Sequence, residues 1–191
     1  MAHLPWLTVV AALALLPLSG DGGHADPEPA AWRQSVTVDL QPGDIVFRRG
    51  VGVVADAVAA ASFSSSGRAT WTHVGIVAQP VAGGPLYVIH AIDDRGVVMD
   101  DPERFFSAAE ASAGSFVRVE GGEGAAKAAL NFVGRPFDTL LSLSDQDALY
   151  CTELVSVALN QAGKGLEIPV RKLPLNDPVM FPDDLHKALS L

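Results

Sequence analysis

Only one cysteine, Cys151, occurs among the 191 residues, so the chain can form neither an intramolecular disulfide nor a multi-thiolate zinc site. Basic residues are also few. Thirteen Lys and Arg stand against 22 Asp and Glu, the formal net charge is −9, and no Lys/Arg-rich run occurs. An electrostatic footprint for nucleic acid is therefore missing. The acidic balance also repels anionic headgroups at low salt. Charged residues make up only 18% and hydrophobic residues 49%, which excludes a disordered composition and provides for a sizeable core. No internal repeat is visible.

Long apolar runs are absent as well. The longest, residues 7–18 (LTVVAALALLPL), is too short for a transmembrane helix of ~20 residues and has the length of an export-signal core. Pro17 and Gly20 end it, and Gly23 and Ala25 place small residues where a signal is cut. Residues 1–25 read as a signal peptide, 26–35 as a Pro/Ala linker and 36–191 as a single domain. The location expected is periplasmic or secreted, with no stable membrane span after cleavage. Before Leu7 there is no Lys or Arg, so a short uncleaved anchor stays open; no cysteine follows the run to carry a lipid.

Hydrophobic periodicity and turn residues divide the rest. Strands are expected at 36–40, 45–47, 72–78, 86–91, 96–99 and 115–119, and helices at 51–61, 101–110, 123–132, 149–162 and 182–189. Gly83-Gly84-Pro85 should turn a hairpin, and Asp101-Pro102 should start a helix. The Pro-rich tail is otherwise expected as loop, and the apolar 51–63 stretch as core in preference to an acyl groove. Strands and helices in this order define an α+β class.

The chemistry centres on Cys151. It opens a helix (CTELVSVALNQAG), where the helix dipole is expected to lower the thiol pKa and unpaired first-turn N–H groups could hold an oxyanion. His73, at the head of the strand THVGIVA, is the candidate base, and His90, on the neighbouring strand, the candidate orienter of its ring. Asp93, Asp94 and Glu153 compete for that third role. Tyr150 and Thr72, next to the two reacting groups, are candidate substrate contacts. His186 is expected to be exposed, and Asp44 to serve a turn. Cys and His also bind zinc, but the spacing forms no zinc motif; no metal and no cofactor are expected.

Five segments in order, QPGDIVF at 41–47, THVGIV at 72–77, VIHA at 88–91, GRPFD at 134–138 and LYCTELV at 149–155, resemble the YaeF/YiiX-type permuted papain-like amidases of the NlpC-related superfamily. The resemblance implies a circularly permuted papain-like (NlpC-type) fold, with a small antiparallel sheet packed against the nucleophile helix. It implies a cysteine hydrolase or acyltransferase working through a thioester, with Cys151 as nucleophile and His73 as base. His90 stands where YiiX-like members often carry Glu and the lecithin-retinol-acyltransferase-like branch carries His. An amide in cell-wall peptides is the first substrate expected, and a lipid acyl bond the second. A binding domain that has lost catalysis is the rival class.

Overall fold

The computed structural model describes residues 31–62, 71–145, 147–172 and 178–190. The expected signal peptide, the linker up to residue 30 and most of the loop at 62–70 lie outside them. The elements are α1 (Ala31–Val38), β1 (Ile45–Gly50), α2 (Val53–Ala61), β2 (His73–Ala78), β3 (Tyr87–Ile92), β4 (Gly96–Asp100), α3 (Pro102–Phe105), β5 (Ala111–Val117), α4 (Glu123–Leu130), α5 (Cys151–Gln161), β6 (Val170–Lys172), β7 (Pro178–Met180) and α6 (Pro182–Leu189).

β1 to β5 form one antiparallel sheet in the order β4-β3-β2-β1-β5. Strand alternation divides its side chains between two cores. Ile45, Phe47, Val74, Ile76 and Ile89 pack with Ala125, Ala129, Leu154 and Ala158 of α4 and α5. Val46, Val77 and Val88 pack with Val36, Leu40, Phe105 and Phe106. The small residues of α4 let that helix lie close to α5 and β2. The α+β class and the helix-backed antiparallel sheet are as the resemblance implied.

Four expectations need correction. The strand at 36–40 is instead the end of α1 and its exit, and α1 also takes up the linker from Ala31 onward. The apolar positions repeat every four residues there, not every two: Val36 and Leu40 are buried beside Trp32, whereas Val38 is 75% exposed. Arg33 fastens the helix by donating to the carbonyls of Phe106 and Ala111, both at 2.8 Å. Second, the helix at 101–110 shrinks to Pro102–Phe105. Asp101 caps it by accepting from the Arg104 N–H at 2.6 Å, and the buried Phe105 and Phe106 then turn the chain. Third, β5 starts at Ala111, because pairing with β1 draws small, weakly strand-forming residues into the sheet. Fourth, the Pro-rich tail contains the β6–β7 pair.

Gly75 sits in the middle of β2, and its missing side chain serves packing. A Cβ there would lie 2.5 Å from Val88 Cγ1, 3.0 Å from the Ile89 carbonyl oxygen and 3.2 Å from His90 Cβ. Gly75→Ala is expected to destabilise the protein by ~1–3 kcal/mol through overpacking. In a chain of this size each kcal/mol lowers Tm by about 2–4 °C, which calorimetry would read. The same shift pushes His90 away, so activity should fall further than the loss of folded protein explains.

Candidate active site

Cys151 is the first residue of α5, with Tyr150 as its extended N-cap (φ −97°, ψ 170°). Glu153, three residues past the cap, accepts the Tyr150 backbone N–H, the return half of a capping box. Burial raises the Glu153 carboxyl to about 7. Glu153 is thereby tied to the helix start and takes no part in orienting His73.

His73 begins β2, and its ring stands at the end of the sheet. By alternation its side chain leaves the face opposite the one that packs on α5. As the terminal strand residue it still reaches the cavity opened by the α5 N-terminus, and both His73 and Cys151 line that cavity. His73 Nε2 is 2.9 Å from His90 Nδ1. His90 Nε2 is in turn 3.2 Å from Asp100 Oδ2. Arg95 donates to both Asp100 oxygens, at 3.1 and 2.6 Å, and Arg104 Nε lies 3.4 Å away. The Phe105 ring packs against both imidazoles, with centroids 5.8 and 5.1 Å distant.

This chain of bonds fixes the tautomers. The hydrogen bond from His90, supported by Arg95, holds the Asp100 carboxyl well below its usual range, so it is ionised and only accepts. His90 Nε2 therefore carries the hydrogen. Burial lowers the His90 pKa, so the ring is neutral and Nδ1 is its acceptor. His73 Nε2 must then donate. Burial, and next the Arg48 charge, lower the His73 pKa well below the ordinary value, which leaves a lone pair on Nδ1, the arrangement of a general base. Arg48 is itself buried. It donates to the Phe105 carbonyl at 2.8 Å, pairs with Glu110 at 2.9 Å and lies over the Phe105 ring at 4.7 Å.

The thiol differs from expectation. Burial pushes the Cys151 pKa up, against the opposing pull of the Thr152 side chain, the Val74 and Thr152 N–H groups and the Arg48 charge. The sulfur's side-chain partner is Thr152 Oγ1 at 3.8 Å, not an imidazole nitrogen. Desolvation thus works against the thiolate, and burial pushes both the thiol and the His73 imidazole toward their neutral forms. Alkylation by iodoacetamide should consequently accelerate as pH rises through about 8.5 and beyond. A rate already level between pH 6 and 8 would mean a preformed thiolate–imidazolium pair.

The two substrate candidates also reach the cavity. Thr72 Oγ1 accepts the Gly50 N–H at 2.8 Å, and the Tyr150 hydroxyl accepts the Met180 N–H at 3.0 Å. Asp93 lines the cavity, while Asp94 is exposed away from it. His186 is not exposed as expected: its ring packs on Phe47 and Trp71, at 4.8 and 5.6 Å. Asp44 accepts the Gln41 N–H at 2.8 Å, as its turn role requires, and also pairs with Arg118.

Asp100 was missed from the sequence, although a signal existed. The turn after Ile92 pins the β3–β4 register, pairing His90 with Val98 and Val88 with Asp100. Asp100 therefore lies diagonal to His90 on the same face. Asp138 was missed too. It is buried and accepts the N–H groups of Leu140, at 2.9 Å, and of Ser142, which holds the loop carrying Phe137 and Leu141 against the cavity.

A sulfur at a helix start, sharing one cavity with an imidazole from an antiparallel sheet that comes earlier in the chain, is the layout of the papain-like class with the order of its halves exchanged. Residues 39–184 match the family described as permuted papain-like amidase enzyme, YaeF/YiiX, C92 family, and the chain belongs to it. It is therefore a cysteine hydrolase of the amidase type. Among solved structures, that of the metalloprotein YiiX from Escherichia coli O157:H7 shares the fold, with a TM-score of 0.60 and 23% identity over 76% of this chain and 91% of that one. No curated protein matches the chain. That neighbour is titled a metalloprotein. Among the described residues of this chain, no three His, Cys, Asp or Glu side chains are grouped to hold a metal ion; His73, His90 and Asp100 are strung in line, each engaged with the next. Nor is any described helix long and apolar enough to cross a membrane.

Proposed function

We propose that the protein hydrolyses an acyl bond, in the first place an amide, with Cys151 as nucleophile, His73 as general base and acid, and His90 and Asp100 as the groups that orient His73. The observation that carries this reading is the Asp100–His90–His73 relay ending at the cavity that holds the sulfur.

The steps follow from the neutral resting pair. As Sγ attacks the carbonyl carbon, its proton passes to His73 Nδ1 and the C–S bond forms. The developing imidazolium is stabilised through His90 by the Asp100 carboxylate, and the first-turn N–H groups of α5 face the developing oxyanion. Collapse breaks the C–N bond, and the amine departs with the proton from His73. Water then attacks the thioester, giving its proton to His73; the C–S bond breaks and the thiol takes a proton back. Export through the 1–25 segment would place this reaction in the periplasm or outside the cell. Cell-wall peptides and lipid acyl groups, the two substrate classes drawn from the sequence, share this chemistry.

The test is acyl-enzyme trapping. Mixing with p-nitrophenyl acetate should release a burst of one equivalent of p-nitrophenol, and acid quenching should leave an acetyl group on the peptide containing Cys151. His73→Ala should abolish both. A label that forms at the same rate without His73, or no label at all, would overturn the assignment.

A further inference from the structure

Arg48 is a buried cation behind the relay. Strand pairing sets it directly opposite His73, and alternation along β1 to β4 puts His90 and Asp100 on the same face of the sheet. Its guanidinium donates to the Phe105 carbonyl and lies over the Phe105 ring, and that ring packs on both imidazoles. Taking a guanidinium out of water is costly unless its N–H groups are satisfied, and Arg48 Nε has no hydrogen-bond partner among the described residues. A methionine would fill the space without that cost, so packing alone does not account for the charge. Its carboxylate partner, Glu110 at 2.9 Å, has a side chain 46% exposed, so solvent screens the pair and part of the positive charge stays uncompensated. The other sides of His73 supply no comparable cation among the described residues. Toward the cavity stand apolar walls from α2 (Val54, Val58), the loop of Phe137 and Leu141, and the end of β7 (Met180, Phe181), with Asp93 the charged side chain among the described lining residues. The 51–63 stretch, expected as core, is in part this wall: Val53 is 86% exposed and Val54 68%. Along the relay Asp100 is engaged by Arg95 and Arg104, and Cys151 lines the same cavity as His73.

We propose that Arg48 is a positioning residue of the hydrolase, holding both imidazoles in line through Phe105 and pressing the proton taken from Cys151 onward to the leaving amine. Burial holds thiol and imidazole toward their neutral forms; to that the cation adds a pull toward the thiolate and a push against the imidazolium. Sγ can thus part with its proton, and His73 Nδ1 keeps that proton only until the C–N bond breaks. Glu110 sets how much of the charge the site feels. The inference rests on the hydrolase reading for the route of the proton, but not for the effect of the charge on ring and sulfur.

Loss of charge and loss of packing have opposite signs at the sulfur, and the test uses that difference. Without the cation, the pKa values of His73 and Cys151 both rise. A merely loosened site admits water, which raises the ring's pKa but lowers the thiol's. Arg48→Met should therefore move the acid limb of kcat/KM for p-nitrophenyl acetate up by about half to one pH unit. It should also slow iodoacetamide alkylation at about pH 8 roughly three- to tenfold. Arg48→Lys, which keeps the charge, should return both toward the parent values. Glu110→Gln bares the cation and should shift both the other way, with alkylation about two- to threefold faster. Imidazole NMR titration of the Cys151→Ala protein reads the ring without turnover: the His73 midpoint should rise with Arg48→Met and fall with Glu110→Gln. If Arg48→Met does not fold, Glu110→Gln, at a half-buried side chain, decides. Unchanged or faster alkylation of Arg48→Met, or a Glu110→Gln protein with the parent's acid limb and alkylation rate, would overturn the inference while the parent's acyl-enzyme still stands. The expected shifts in ring and sulfur, in a parent protein that forms no acyl-enzyme, would overturn the hydrolase reading and leave the effect of the charge in place.

Discussion

With alanine at position 151, turnover of the acyl substrate should fall to the uncatalysed level, a loss of about 10⁴-fold or more in kcat. In the proposed mechanism the sulfur makes the acyl bond in the first half of the reaction and releases it in the second, and no other thiol exists in the chain to replace it. The fold should tolerate the change. Alanine is the best helix former, and the sulfur's side-chain hydrogen bond is a long contact to Thr152 at 3.8 Å. Circular dichroism and Tm should therefore match the parent while steady-state rates vanish. Persistent turnover by purified Cys151→Ala protein would remove the thioester from the mechanism.

Asp100→Asn should produce the second-largest loss, about 10²–10⁴-fold in kcat with little change in KM, by analogy with tautomer errors in triad enzymes. The carboxylate accepts from His90 Nε2 and so sets the hydrogen on every later nitrogen. An amide can donate instead. His90 Nε2 would then accept, Nδ1–H would donate to His73 Nε2, and the His73 hydrogen would move to Nδ1, the nitrogen that must receive the thiol proton. Arg95 and Arg104 would also lose their carboxylate. Asp100→Glu restores the acceptor and should recover part of the rate. If Asn and Glu behave alike, and kcat follows only the fraction folded, Asp100 is structural.

Some of this could be read in the residues and some could not, for physical reasons. Cys151 at a helix start was legible because Tyr150 precedes a strongly amphipathic run that Gly163 closes at φ 74°. The His73–His90 contact was legible because alternation and a glycine turn place both on one face of a hairpin. Asp100 escaped because the expected strand stopped at residue 99, and the nearby carboxylates, Asp93, Asp94 and Glu153, were weighed as rivals of His90 and not as its partners. The α1 helix escaped because Val36, Val38 and Leu40 satisfy a period of two as well as Val36 and Leu40 satisfy a period of four; only Trp32 and the sheet face it covers decide. The thiol pKa went the wrong way because a sequence shows a helix terminus but not the depth at which it is buried. The cavity walls were least legible, since they arise where α2, a loop and the β6–β7 pair converge from distant parts of the chain.

The base, its orienting ring and the anchoring carboxylate all lie between positions 73 and 100, on three successive antiparallel strands. The sulfur comes at the start of α5, a separate and later segment of the chain. Contacts between near neighbours in sequence close at less entropic cost than distant ones, so the order of the chain favours assembly of the Asp100–His90–His73 relay before α5 docks and brings the sulfur to it.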